Sequence, residues 1–302
     1  MKDIVVIIPT RNRPELLLSL LGSISKQTLL PQKVIVVDSS EVPLDLTLLV
    51  DFNFGIELIK TSLASAAGQR NLGIDSLSDK NIFLMFLDDD TVPEPDYIEN
   101  LSSTMRKTNA IGISGVTVGL NKKLQSRANS GISFAFRRLF FLESKTDGSI
   151  TKGGIGIPVR MGVGEPVEVK WLIGCSIWNF ETISDIRFEK DFIGQSLGED
   201  VIFSYLCSKR GKLFVDPGIH LTHVESSIGR PDSFAHQEMW IVNRFRLFQK
   251  MDGRFWKYIY FNWTNLGRLF SLIAKFFVSP SKAFETIKGF TAGYFHLMYG
   301  KK

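Results

Sequence analysis

The sequence predicts an α/β fold: a mostly parallel sheet flanked by helices, followed by a C-terminal amphipathic helical extension. Three observations carry this. Short β-branched runs alternate with helix-period stretches through Val118. A polar cluster follows each of three such runs, at Thr10 to Arg13, Asp38 to Ser40 and Asp88 to Asp90. In open α/β sheets, ligands bind outside the carboxyl ends of the strands. Beyond about Asp232 the pattern changes to aromatic and basic residues at helical spacing.

The elements follow in order. Ile4 to Ile8 is a continuous β-branched run, the mark of a strand buried on both faces. Pro14 opens a helix, and Leu16, Leu17, Leu20, Leu21 and Ile24 form its apolar stripe. Lys33 to Val37 is a second buried strand and Ile56 to Ile59 a weaker third. Ala64 to Leu77 reads as a helix, Asn81 to Met85 as a strand, Asp96 to Arg106 as a helix and Ile111 to Val118 as a strand. Residues 119–165 are Gly-rich, basic and poorly periodic, and read as loops with one short aromatic segment, Phe134 to Phe141. Trp171 to Gly174 is expected as a strand, Leu197 to about Arg210 as the start and body of a helix. Leu213 to Val215 and Ile219 to Leu221 are expected as two short strands. The domain expectation is a catalytic unit over 1–250 and an aromatic, basic helical segment over 251–302.

A chain of 302 residues can bury a sizeable core, and 44% hydrophobic with 22% charged residues excludes a disordered chain. Net charge is +5, which suits anionic partners such as nucleotide sugars or an anionic membrane surface. No long Lys/Arg block points to nucleic acid. Cys175 and Cys207 lie in apolar surroundings with no ligand spacing, so two buried free thiols and a reducing compartment are expected. Met1 leads straight into a strand, so no signal peptide is expected, and no apolar run reaches the ~18 residues of a spanning helix. The tail carries Trp240, Phe255, Trp256, Tyr258 and Trp263 among Arg244, Arg246, Lys250, Arg254 and Lys257. That composition fits helices lying on a membrane surface, or a helical cap on the α/β core.

The central stretch is Phe86-Leu87-Asp88-Asp89-Asp90-Thr91. Three carboxylates at a strand end repel one another, and a hard divalent cation relieves that repulsion while leaving places for phosphate oxygens. The alternative is a solvated acidic turn ahead of Pro93 and Pro95. No GxGxxG follows the first strand, which argues against a dinucleotide-binding Rossmann enzyme.

Taken together, residues 3–250 resemble the inverting glycosyltransferases of family 2, with the GT-A fold. The resemblance rests on Val6-Ile7-Ile8-Pro9-Thr10-Arg11-Asn12-Arg13, Asp38-Ser39-Ser40, Gly68-Gln69-Arg70-Asn71-Leu72-Gly73-Ile74, Leu87-Asp88-Asp89-Asp90, Gly198-Glu199-Asp200 and a later His223, in that order. The chain departs from the family at Asp38-Ser39-Ser40, where two Asp then Gly-Ser are frequent.

The resemblance implies a role for each matched residue. Thr10, Arg11, Asn12 and Arg13 line the nucleotide-sugar site, Asp38 accepts a hydrogen bond from the base, Arg70 lies near the ribose or diphosphate, and Asp89 faces the ribose. Asp88, Asp90 and His223 hold Mn²⁺ or Mg²⁺, with His220 as the competing but more structural histidine. Asp200 is the catalytic base; without the resemblance, its place at a helix start reads as a cap. Glu199 orients it or touches the acceptor, and Trp171 stacks on the acceptor or is a core tryptophan.

The implied function is metal-dependent, inverting transfer of a sugar from a nucleotide-diphosphate sugar to a saccharide or lipid-linked saccharide, in surface polysaccharide synthesis. The implied place is peripheral, on the cytoplasmic face of the cell membrane. The sequence is also compatible with a nucleotidyltransferase of similar fold and with an inactive nucleotide- or sugar-binding protein.

Overall fold

The computed structural model describes residues 2–42, 44–49, 52–118, 131–160, 162, 164–190, 192, 197–224, 232–253 and 255–300. Residues 119–130, the first part of the stretch read as loop, and Arg254 of the basic set lie outside the described residues.

β1 (Asp3–Thr10), β2 (Lys33–Asp38), β3 (Gly55–Lys60) and β4 (Ile82–Phe86) form a parallel half-sheet in the order β3-β2-β1-β4. α1 (Pro14–Ile24) and α2 (Ala66–Asp75) make crossovers between them. The continuous apolar runs are explained by burial on both faces. Val5 and Ile7 enter one core with Ala67 and Ile74 of α2. Ile4, Val6 and Ile8 enter the other, with Leu17, Leu20, Leu21 and Ile24 of α1. Full burial of each such side chain stabilises by about 1.5–3 kcal/mol.

The second half is mixed. β8 (Ser176–Asn179) is inserted antiparallel between β4 and β6 (Gly112–Thr117). β9 (Leu213–His223) runs parallel to β6, and its two ends carry the short antiparallel strands β7 (Val167–Val169) and β5 (Thr91–Pro93). α3 (Tyr97–Thr108) packs on β6 and β9, in the same core as α1. Among the described residues, the further α-helices are α4 (Gly131–Leu139), α5 (Phe180–Ile183), α6 (Glu199–Cys207), α7 (Ser233–Lys250), α8 (Trp256–Phe276) and α9 (Pro280–Tyr299). α7, α8 and α9 share a third core built on Ile241, Phe248, Phe261, Leu272 and Phe290.

Three expectations are corrected. Phe134 to Phe141 is not loop: residues to Leu139 form α4, with Phe140 packed on Trp263 of α8. Trp171 to Gly174 is a connector, and the strand begins at Ser176. The two short strands after Leu213 are one, because β6 shifts register between Ser114 and Val116 and absorbs the Pro217-Gly218 irregularity. Cys175 and Cys207 are free and buried, as expected.

Candidate active site

The carboxyl ends of β1, β2 and β4 meet on one edge of the sheet, and the chain stitches them together there. Asn12 has φ 54°, a left-handed conformation that Asn tolerates. Its backbone N–H donates to Ser40 Oγ at 2.7 Å and its side-chain oxygen accepts from Glu41 N at 3.0 Å. Asp38 is buried; Oδ1 accepts from Ser40 N (2.8 Å) and Ser40 Oγ (2.5 Å), while among the described residues Oδ2 receives a single 3.4 Å bond, from Leu44 N. Arg11 is exposed and pairs with Glu41.

α2 explains the Gly-Gln-Arg-Asn motif residue by residue. Ser65 caps the helix by accepting from Gly68 N. Gln69 was given no role by sequence reasoning. Its Nε2 donates to Thr10 O (2.8 Å) and Val37 O (2.6 Å), so it ties the ends of β1 and β2 together. Asn71 exchanges hydrogen bonds with the backbone of Phe188, donating to its O and accepting from its N. Gly73 lets the helix approach β1: a Cβ there would lie 2.8 Å from Ile7 Cγ2.

Arg70 points from α2 into the site and is 2% exposed. It donates to Glu199 at 2.6 Å and to Asp88 at 2.5 Å. Burial alone would lower its pKa, but the charges of Asp88 and Glu199 more than offset this and hold it above the ordinary arginine value. Gly174 lies against the pair, with room for a Cβ only 3.2 Å from the guanidinium.

The acidic triplet divides its work. Asp89 accepts from Thr10 Oγ1 (2.8 Å) and Arg13 (3.1 Å), and burial still pushes it up to about 6. Asp90 is held by Arg13 at 3.2 Å, and its other oxygen lies 3.2 Å from His223 Nε2. Burial and then the charge of Asp88 raise its pKa, against the pull of His223 and Arg13. The pairing of β5 with β9 makes this contact: Thr91 sits opposite His223, and Val224 N donates to Asp90 O at 2.8 Å. His220 points elsewhere, with Nε2 3.0 Å from Pro217 O.

α6 opens at Gly198, whose φ of 86° only glycine adopts without strain. Glu199 and Asp200 follow in the first turn. Glu199 is buried on Arg70, and burial pushes it up to about 8. Asp200 is half-buried and accepts from Val201 N at 2.8 Å. Burial pushes it up to about 6 against that hydrogen bond, and it feels the charges of both Arg70 and Asp88. Burial thus outweighs the helix-end field that would make it more acidic. Trp171 is placed in the core: its ring lies on Gly156 and its N–H donates to Ile157 O at 3.2 Å.

The profile of "Glycosyl transferase family 2" matches residues 5–158, half of the chain. The chain belongs to glycosyl transferase family 2. Solved structures agree on the fold. TarS of S. aureus in complex with UDP-GlcNAc is 17% identical, with TM-score 0.56 over 95% of this chain and 79% of that one. The mannosyltransferase PcManGT of Pyrobaculum calidifontis, in complex with GDP-Man and Mn²⁺, is 13% identical with TM-score 0.59 over 100% and 89%. GalNAc-T7 with UDP, GalNAc and Mn²⁺ is 13% identical with TM-score 0.56 over 82% and 48%. At these identities the likeness is one of fold. Comparison with curated proteins by sequence finds no match.

PcManGT and GalNAc-T7 were solved with Mn²⁺. Among the described residues, no group of three or more His, Cys, Asp or Glu surrounds one cation position. Two donors do fit. Bonds of ~2.1 Å at right angles put neighbouring ligands about 3.0 Å apart, close to the 3.2 Å between Asp90 Oδ1 and His223 Nε2. Mg²⁺ and its kin are commonly held by one or two protein groups, with water and phosphate completing the shell. Asp88, the third expected ligand, turns one oxygen to Arg70.

Proposed function

We propose that this glycosyltransferase is metal-dependent and inverting. In this reading it moves a sugar from a nucleotide-diphosphate sugar to a hydroxyl of a lipid-linked saccharide during surface polysaccharide assembly, at the inner face of the cell membrane. Residues 1–250 are the catalytic unit and 251–302 an accessory helical segment. The observation that supports it most is one convergence: Asp90 on His223, and Asp88 on Glu199 through Arg70, beside Asp200. Proteins of the same fold hold UDP-GlcNAc or GDP-Man, which supports a nucleotide-sugar donor.

The donor nucleotide rests against the Thr10 to Arg13 turn, with Arg13 and Asp89 as the floor. Asp38 Oδ2, with its single long bond, has capacity to accept from a base N–H. Asp90 and His223 would hold Mn²⁺ or Mg²⁺, and a cation there supplies positive charge against the leaving diphosphate. Arg13 and Arg70 give the site fixed positive charge of its own. Asp200 takes the proton from the acceptor hydroxyl as that oxygen attacks the anomeric carbon. The bond from that carbon to the diphosphate oxygen breaks in the same displacement, so the configuration inverts. A carboxylate near pKa 6 is mostly ionised at neutral pH yet more basic than an ordinary aspartate. Glu199, pinned by Arg70, fixes the first turn of α6 and so the position of Asp200.

Transfer assays with a panel of nucleotide sugars and saccharide acceptors, with Mn²⁺ or with a chelator, test the proposal. It predicts turnover that the chelator abolishes. Turnover that survives the chelator refutes the metal role, and nucleotide binding without turnover on any acceptor refutes the enzyme.

A further inference from the structure

We infer that α8 is a docking surface for an anionic lipid bilayer, lying along it rather than through it. The inference deepens the membrane placement proposed above and rests on it, but needs nothing from the sugar chemistry.

α8 has two apolar faces. One buries Phe261 and Leu272 in the core shared with α7 and α9, with Thr264 and Asn265 buried beside them. The other carries Trp256, Ile259, Trp263, Leu266, Phe270 and Ile273, and reaches Phe277 just past the helix end. The steps are alternately three and four residues, so the row stays on one side of the helix for about 30 Å. Every member is exposed, from 38% at Trp263 and Leu266 to 84% at Phe277. A helix that buries one stripe ordinarily presents polar residues on the other. Large exposed apolar rows on soluble chains mark interaction surfaces. α4 joins this one: Trp263 stacks on Phe140 and donates to Leu139 O, and Leu139 is itself 60% exposed.

Charge identifies the partner. Residues 253–302 carry eight Lys and Arg against one acidic residue, Glu285, which leaves 28 basic against 30 acidic residues in 1–252. The basic excess of the whole chain therefore resides in this segment. α8 itself contains no Asp or Glu. Basic residues beside Trp, Phe and Tyr are the composition of helices seated at the headgroup boundary of anionic membranes. Among the described residues, no helix is long and apolar enough to cross a membrane. A three-four repeat also suits a second copy of the same helix. Pairing two copies, however, would bring two segments of like excess charge together and crowd an aromatic ring at every second step. An anionic surface meets both features without that cost.

Flotation of the full chain tests this, with phosphatidylcholine vesicles either alone or with roughly a third phosphatidylserine. The wild type floats with the anionic vesicles and is released by salt. Ile259→Ser, Ile273→Ser and Phe277→Ser combined lower vesicle binding at least about tenfold while thermal melting and donor binding are retained. Equal flotation of the variant overturns α8 as the surface and leaves the membrane placement standing. No flotation of the wild type overturns the placement and this inference together. A wild-type dimer that the same substitutions split, without flotation, gives the row to a second copy and overturns the inference. If the triple variant misfolds, acyl-chain bromine quenching decides. Quenching of wild-type tryptophan fluorescence is expected to disappear on Trp256→Phe with Trp263→Phe, and its persistence overturns the inference.

Discussion

Replacing Arg70 with Met tests how the site is held together. Arg70 is almost fully buried between Asp88 and Glu199, and its guanidinium also lies 5.4 Å from the Phe188 ring centre. Removing one partner of a buried ion pair costs about 3–5 kcal/mol, because a carboxylate is stranded. Two features put this case at the lower end. The Asp88 side chain is 36% exposed and regains water, and Glu199, pushed up to about 8, can take a proton at neutral pH instead of staying charged. The expected loss is therefore about 3 kcal/mol, or roughly 5 °C in melting temperature for a chain of this size. Equilibrium urea unfolding and thermal melting at neutral pH measure it. Glu199→Gln in the Arg70→Met background restores part of the loss, with a coupling of about 1–3 kcal/mol, because the stranded acid is gone. A single variant that melts within about 2 °C of the wild type refutes the argument.

Further outcomes follow from the geometry. Below the Asp200 pKa of about 6, transfer falls about tenfold per pH unit, measured as kcat/KM, because the base becomes protonated. Since that pKa is raised on folding, the stability it contributes is full below the ordinary value of 3.8 and is lost as pH rises through about 6. His223→Ala weakens Mn²⁺ binding in the presence of donor nucleotide by about tenfold or more, read by titration calorimetry; an unchanged affinity removes His223 from the cation. Gly73→Ala drives a methyl into Ile7 across the α2–β1 contact and costs about 1–3 kcal/mol in urea unfolding.

The first half of the fold was legible because its signals are local. Short continuous β-branched runs favour strands covered on both faces, and Pro14 and the leucine stripe define α1 without outside help. The second half depends on partners far away in the chain. Three residues, Thr91 to Pro93, become a strand only because His223 and its neighbours pair with them. Trp171 to Ile173 has the composition of a strand, yet the hydrogen bonds of β4 are taken by Ser176 to Asn179. Pro217 and Gly218 read as a break, but the register shift in β6 carries β9 through them. At the site, a Gly-Glu-Asp triplet alone is a helix cap. Its neighbours Arg70 and Asp88 lie 129 and 111 positions before Glu199, a relation no spacing rule contains. Gln69 was overlooked for the same reason, since the carbonyls it joins belong to two different strands.

Asp200→Asn, with donor binding and sugar transfer measured side by side, is the most direct test of the central claim. The substitution keeps the shape of the side chain and its contact with Val201 N while removing the base. The account predicts donor affinity close to wild type and transfer reduced by about 10²-fold or more. Transfer near the wild-type rate would contradict it, and would return Asp200 to the role of a helix cap.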